Sequence, residues 1–290
     1  MKSDLHIHTY YSDGVYSPEK IVDTALDVGL DVIALTDHDT VLGIPEAFEA
    51  ANKCGIEFIP GIEMSVDYIG TYEILGYFID YTNKEFLKKL EQRNVWRVER
   101  MYKTIDVLKN LGYDVSVEEV EKIAGSGSIG RPHIANALIQ KGYFNNMEEV
   151  FRALLADGKK AYVRAQNYSI EEVVNIILKA GGVPVLAHPF MMKMSDERLE
   201  EEVKKLKSYG LKGIEAYYSE STPSKTKYHL ELAKKYDLIA TCGSDFHGLN
   251  KKNEIGKIIN GKDMIEDYMI IENLKDALMG TGRLGNLHNM

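Results

Sequence analysis

Cysteine is scarce in this chain: Cys54 and Cys242 are the only two in 290 residues, which excludes a disulfide framework or a cysteine-built zinc module. No apolar run approaches membrane-spanning length, and no charged segment followed by an apolar one stands at the start. Neither a membrane span nor a secretory leader is therefore expected. Basic charge is not in excess either, and the formal net charge of −9 argues against a nonspecific grip on nucleic acid. A nucleotide substrate stays open, because bound divalent cations reverse the sign of the field inside a site. Glycine-rich dinucleotide fingerprints, a P-loop and internal repeats are also missing. The expectation is a soluble, reduced, cytoplasmic protein with no obligate protein partner. Its 44% hydrophobic and 27% charged content suits one large α/β domain, or a domain with an insertion.

Histidine is what the chain does place with care. Asp4-Leu5-His6-Ile7-His8, with Asp13 after it, lies near the start, and Ser244-Asp245-Phe246-His247 near the end. Each follows an apolar run that reads as a strand, Ser3 to Ile7 and Leu238 to Cys242, so His6 and His8 share a face, as do Asp245 and His247. Asp31 to Leu35 leads into Thr36-Asp37-His38-Asp39, Val183 to Ala187 ends at His188-Pro189, and Phe58 to Ile62 delivers Glu63. Five of the eight histidines thus fall at strand ends beside a carboxylate or a proline turn. A single histidine there is more often a satisfied polar group than a ligand. Five at once point to one mouth at the C-terminal rim of a sheet or barrel, where α/β folds keep their chemistry. Imidazole and carboxylate together suit zinc, manganese or iron.

The remaining pattern is strand and helix in alternation. Ser17 caps a helix from Pro18 to Gly29, a second helix is expected from Val41 to Cys54, and Thr71 to Phe78 reads as a further strand. This βαβαβ rhythm favours parallel pairing. From Lys84 to Leu111 a long charged helix interrupts it, followed by helices at Val117 to Ile123, Pro132 to Lys141 and Met147 to Leu155. Residues 82–166 read as a helical lid over the mouth, leaving 1–81 and 167–290 as the barrel. The rhythm resumes with helices Ile170 to Ala180, Asp196 to Tyr209 and Lys225 to Tyr236 and the strand Gly213 to Tyr217. Seven strands, most followed by a helix, favour a closed or distorted (β/α) barrel over an open doubly wound sheet. His229 in its charged helix and His288 in the tail read as solvated, and Trp96 and Cys242 as packing.

Taken in order, His6-Ile-His8, Thr36-Asp37-His38, Pro60-Gly61-Ile62-Glu63, Ala187-His188-Pro189 and Gly243-Ser244-Asp245-Phe246-His247 resemble the motifs of the polymerase and histidinol phosphatase (PHP) superfamily of metal-dependent phosphoesterases. Gly130-Arg131-Pro132-His133 resembles the subgroup containing nucleoside 3′,5′-bisphosphate phosphatases and short-RNA 5′-3′ exonucleases. The resemblance implies a distorted seven-stranded (β/α) barrel carrying two or three divalent metals. It places His6, His8, Glu63 and Asp245 on the first, Glu63 and His188 on a second, and Asp13, His38 and His247 on a third. Glu73 stands where many relatives present a histidine to the second metal, an oxygen-richer set that favours manganese over zinc.

Asp13, His38, His133 and Asp245 are the candidate catalytic residues, with Arg131, His133 and Ser219 as candidate phosphate contacts. Arg131 offers a planar fork at the start of a helix, where anions bind well. The expected activity is hydrolysis of a phosphomonoester on a small phosphorylated metabolite, foremost a nucleoside 3′,5′-bisphosphate, by hydroxide generated among the cations. The alternatives are a phosphodiesterase acting on short RNA or a cyclic sugar phosphate, then a histidinol phosphatase, then a metal-binding module without catalysis.

Overall fold

The computed structural model describes residues 1–68, 70–248, 253–258, 262–263 and 267–279. Seven strands form one sheet in chain order: β1 (Ser3–Ile7), β2 (Val32–Leu35), β3 (Glu57–Ser65), β4 (Glu73–Tyr77), β5 (Val183–Leu186), β6 (Gly213–Tyr218) and β7 (Ile239–Gly243). The sheet curls until β1 meets the segment after β7, where the His8 amide donates to the Phe246 carbonyl at 2.9 Å and Ile7 bridges Phe246 in parallel. The result is a nearly closed barrel, as expected, whose strands are lined on both faces by buried aliphatic side chains.

Pairing is parallel except at β4, which runs antiparallel to both β3 and β5. The parallel pairing expected from the βαβαβ rhythm holds for β1 to β3, and the reversal at β4 has a local reason. The link from β3 to β4 spans only residues 66–72, and a parallel return needs a crossover of about a dozen residues or more. Reversal brings the first residue of β4, Glu73, to the rim where the parallel strands end.

Helices α1 (Pro18–Asp27), α2 (Ile44–Cys54), α7 (Ile170–Lys179), α8 (Asp196–Tyr209) and α9 (Pro223–Lys235) cover the barrel. Ser17 caps α1 by accepting from the Lys20 amide, and Ser169 and Glu172 form a capping box on α7. The segment expected as an insertion contains α3 (Lys84–Asn110), α4 (Val117–Ala124), α5 (Arg131–Gln140) and α6 (Met147–Val150), the last running into a π-helical turn, Phe151–Leu155. It has a hydrophobic cluster of its own around Ile105, Leu108, Leu138 and Leu155, whereas Phe86 and Leu90 at the start of α3 pack into the barrel's cluster. A short hairpin, β8 (Lys257–Ile258) with β9 (Lys262–Asp263), and α10 (Met269–Met279) complete the described chain.

His229 is a correction. It is 1% exposed, not solvated, and neither ring nitrogen has a hydrogen-bond partner among the described residues. Thr226, His229, Leu232 and Ala233 share the inner stripe of α9, a spacing that the surrounding lysines disguise. Trp96 packs at 5.0 Å from the Tyr168 ring, and buried Cys242 lies against Ser3. His288 falls outside the described residues.

Candidate metal centre

The barrel mouth gathers His6, His8, Asp13, His38, Glu63, Glu73, His188, Asp245 and His247. The Nε2 atoms of His6 and His8 stand 3.4 and 3.3 Å from Glu63 Oε2, and 3.6 and 3.2 Å from Asp245 Oδ1. His188 Nε2 lies 2.7 Å from Glu63 Oε1 and 3.5 Å from Glu73 Oε2. Asp13 Oδ1 is 3.1 Å from His247 Nε2 and 3.8 Å from His38 Nε2, while His38 Nδ1 faces Glu63 at 3.0 Å and Glu73 at 3.6 Å. Glu73 therefore turns into the mouth, where Ser65 Oγ donates to it at 2.9 Å.

These separations suit a metal. Ligand atoms bonded at about 2.1 Å to one ion stand about 3.0–3.4 Å from each other. Several of these atoms are also left over by the protein's own hydrogen bonding: His6 Nε2, His8 Nε2, His38 Nδ1 and Glu63 Oε2 are buried and make no hydrogen bond among the described residues. Buried polar atoms are rarely orphaned in native proteins. The residues thus fit divalent cations, and three overlapping sets of ligand atoms are close enough to hold them: His8, Asp13, His38 and His247; His6, His8 and Glu63; His38, Glu63 and Glu73.

Charge binds the cluster together. Burial opposes ionisation of His38, yet Glu63, Asp13 and Glu73 overcome it and raise its pKa to about 10. His188 is raised to about 9 against the same burial, through its hydrogen bond and charge attraction to Glu63. Glu63 in turn is held well below the carboxylate range by His38 and His6 despite its own burial.

Backbone and supporting residues place these groups. Asp39, His188 and Asp245 adopt left-handed φ of 54°, 23° and 54° where their strands turn out of the sheet. Such conformations cost roughly 1–3 kcal/mol each and persist where the surroundings dictate them. Glu215, buried on β6, accepts from His6 Nδ1 at 3.0 Å and from the His188 amide at 2.7 Å. This fixes the proton of His6 on Nδ1 and leaves Nε2 for a metal. Asp37 accepts from the Thr9 amide, the Thr9 hydroxyl and the Ser12 hydroxyl at 2.6–2.7 Å, shaping the loop that carries Asp13. Tyr218 donates to Asp245 Oδ2 at 3.2 Å.

The insertion supplies cations. Asp39 accepts from Arg93 and Arg97 of α3, which holds its pKa at about 2 although burial acts the other way. Arg97, Arg100 and Arg131 line a cavity of about 310 Å³ together with Asp13, His38, Glu63, Glu73, His188, Asp245 and His247. Arg131 pairs with Asp157 at 2.9 Å. Arg100 donates to the Val163 carbonyl at 2.9 Å and has no carboxylate in ion-pair range among the described residues. Burial and the like charges of Arg131 and Arg97 press its pKa downward.

Two sequence candidates fall elsewhere. His133 accepts from the Gly130 amide through Nδ1 at 3.0 Å, capping the start of α5, and does not line this cavity. Ser219 does not line it either. Glu215, Arg93, Arg97 and Arg100 were not evident from sequence, since one is a lone carboxylate inside an apolar strand and the others sit in a helix rich in charge.

Fold and site define a class: a nearly closed α/β barrel with a histidine and carboxylate cluster able to hold metal at its C-terminal rim. The chain belongs to the PHP domain family, whose pattern it matches over residues 4–183. It is 33% identical to a 5′-3′ exoribonuclease of Haemophilus influenzae over 91% of this chain and 96% of that one. It is 34% identical to a 3′,5′-nucleoside bisphosphate phosphatase of Chromobacterium violaceum over 84% of this chain and 86% of that one. Among solved structures, an amidohydrolase from Chromobacterium violaceum, crystallised with sulfate and without metal, superposes with a TM-score of 0.85 at 30% identity, covering 96% and 97% of the two chains. No helix among the described residues is long and apolar enough to cross a membrane.

Proposed function

We propose that this protein removes a phosphate from a nucleotide that carries two, such as a nucleoside 3′,5′-bisphosphate. The carrying observation is that Arg100, a cation without a carboxylate partner among the described residues, lines the same cavity as the metal ligands. One phosphate then belongs with the histidine and carboxylate cluster and the other with the arginines. The named activity of the Chromobacterium relative supports the same substrate class.

His6, His8, Glu63 and Asp245 would hold one ion, Glu63, His188 and Glu73 a second, and Asp13, His38 and His247 a third. Bound divalent ions neutralise the ester and bring the pKa of water toward neutrality. The four carboxylates favour manganese. Glu215 orients His6, Tyr218 steadies Asp245, and Arg100 and Arg131 grip the second phosphate, Arg131 sharing its fork with Asp157. Residues 82–166 act as the lid that sets specificity. His133 supports that lid by fixing the turn into α5, which leaves phosphate binding to the arginines.

A second reading, cleavage of mononucleotides from short RNA, draws on the named activity of the Haemophilus relative and on Tyr68, an exposed ring on the cavity wall able to stack a base. The deciding assay is phosphate release from adenosine 3′,5′-bisphosphate by manganese-loaded protein, with adenosine 5′-monophosphate, a cyclic ribose phosphate and a 5′-phosphorylated short RNA beside it. Selective turnover of the bisphosphate, lost in His8→Ala and Asp245→Ala, is expected. Mononucleotide release from the RNA with an inert bisphosphate would move the assignment to the second reading.

A further inference from the structure

A second cavity, of about 550 Å³, lies on the other flank of the centre. Asp13, Pro132, Phe151 and His247 line both cavities, so the two are neighbours across a shared wall. Their linings differ in chemistry. The first collects arginines, whereas the second is lined by no arginine among the described residues and joins Tyr10 and Val15 from the loop after β1, Ile123 of α4 and Met147 of α6 to the polar side chains of His133 on α5 and Glu148 on α6. The Tyr10 ring is held in place by its hydroxyl, which donates to Glu46 at 3.2 Å. Asn136 of α5 adds an amide that makes no hydrogen bond among the described residues.

A nucleotide is divided in the same way. Its phosphates need cations, while its base is a planar ring with an apolar face and a polar edge. Ligand pockets of a few hundred cubic ångströms are characteristically apolar with one or two placed polar groups, and a side-chain amide can pair with a base edge through both its donor and its acceptor. Resting on the nucleotide reading above, we propose that the second cavity holds the nucleobase, flanked by Tyr10 and Phe151 with Asn136 on its edge. The loop after β1 and helices α4 to α6 then select for a base, and the metal centre selects for phosphate.

The test is calorimetric titration of the manganese-loaded protein with adenosine 5′-monophosphate and with ribose 5-phosphate, which differ by the base alone. The nucleotide is expected to bind on the order of tenfold tighter or more, the contribution of one stacked base. Val15→Trp and Met147→Trp, each filling the cavity from a different wall, should bring the ratio of the two affinities near one, and Asn136→Leu should reduce it several-fold. Equal affinities in the unaltered protein, or a ratio unchanged in both tryptophan variants, overturn the pocket. Phosphate release from the bisphosphate, read on the same samples, keeps the two ideas apart. Release with equal affinities strikes the pocket alone, and base-dependent affinity without release strikes the hydrolytic reading alone.

Discussion

A histidine offers a metal only one nitrogen, and for His6 the choice is made by Glu215, which accepts a hydrogen bond from Nδ1–H and so keeps the proton there. Gly243 leaves room for that arrangement: a Cβ there would fall 2.3 Å from both Glu215 Oε1 and His6 Cβ. Gly243→Ala is expected to displace both side chains, cost about 1–3 kcal/mol of stability and weaken manganese binding, as read by urea unfolding and calorimetry. Wild-type values on both would remove Gly243 from this role. His229 gives a residue-level test of pH dependence. Burial, with Lys225 on the same helix adding repulsion and Asp196 of α8 opposing it, lowers its pKa to about 4. The unfolded chain, with a histidine pKa near 6.5, then binds the extra proton between those values, so stability falls as pH drops from about 6.5 toward about 4, by up to about 3 kcal/mol. His229→Phe should flatten the slope of unfolding free energy across this window; an unchanged slope would assign it to other groups. His8, His38, Glu63, His188, Asp245 and His247 were legible because each stands at or just beyond the end of an apolar run, whereas Asp13 in a loop and Glu73 at the start of β4 came only with the family resemblance. Glu215 was not, since a carboxylate inside a buried strand reads as an exception until its two partners are seen.

Among the elements, α3 does most to join insertion and barrel. Arg93, Arg97 and Arg100 recur at helical spacing and so share a face. Periodicity predicts that helix from its apolar residues, but it does not say which of many cations turn inward. Here Asp39 decides, accepting from Arg93 and Arg97 immediately after His38. Replacing it by Asn leaves a 2% exposed guanidinium, that of Arg93, without its charge partner. Asp39→Asn is therefore expected to destabilise the protein by about 3–5 kcal/mol in urea unfolding. Losses below about 1 kcal/mol would mean the pair is relieved by solvent. The direction of β4 was also open to inference: alternation cannot distinguish parallel from antiparallel strands, yet the short 66–72 link allows only a reversal. The capped helices were readable to within a residue or two, since Ser17, Ser169 and Ser195 each accept from the first turn that follows.

At the scale of the whole molecule, the candidate metal centre is the point where the barrel's far-separated segments converge. Its candidate ligands come from β1 and its following loop, the end of β2, β3, the start of β4, the end of β5 and the turn after β7. An unfolded chain cannot bring these groups together, so any ion bound there favours the folded state by mass action. At a free manganese concentration of 100 times the dissociation constant, one site contributes about 2.7 kcal/mol. Manganese should accordingly raise the thermal unfolding midpoint and chelation should reverse the gain, with no substrate needed for the readout. His8→Ala removes a side chain that serves two of the three candidate ligand sets, so it should abolish most of the shift. Asn136→Leu, which alters only the second cavity, should retain it. A midpoint indifferent to manganese in the unaltered protein would mean that the buried imidazoles and carboxylates are satisfied by one another, as the close contact of His188 Nε2 with Glu63 at 2.7 Å already is.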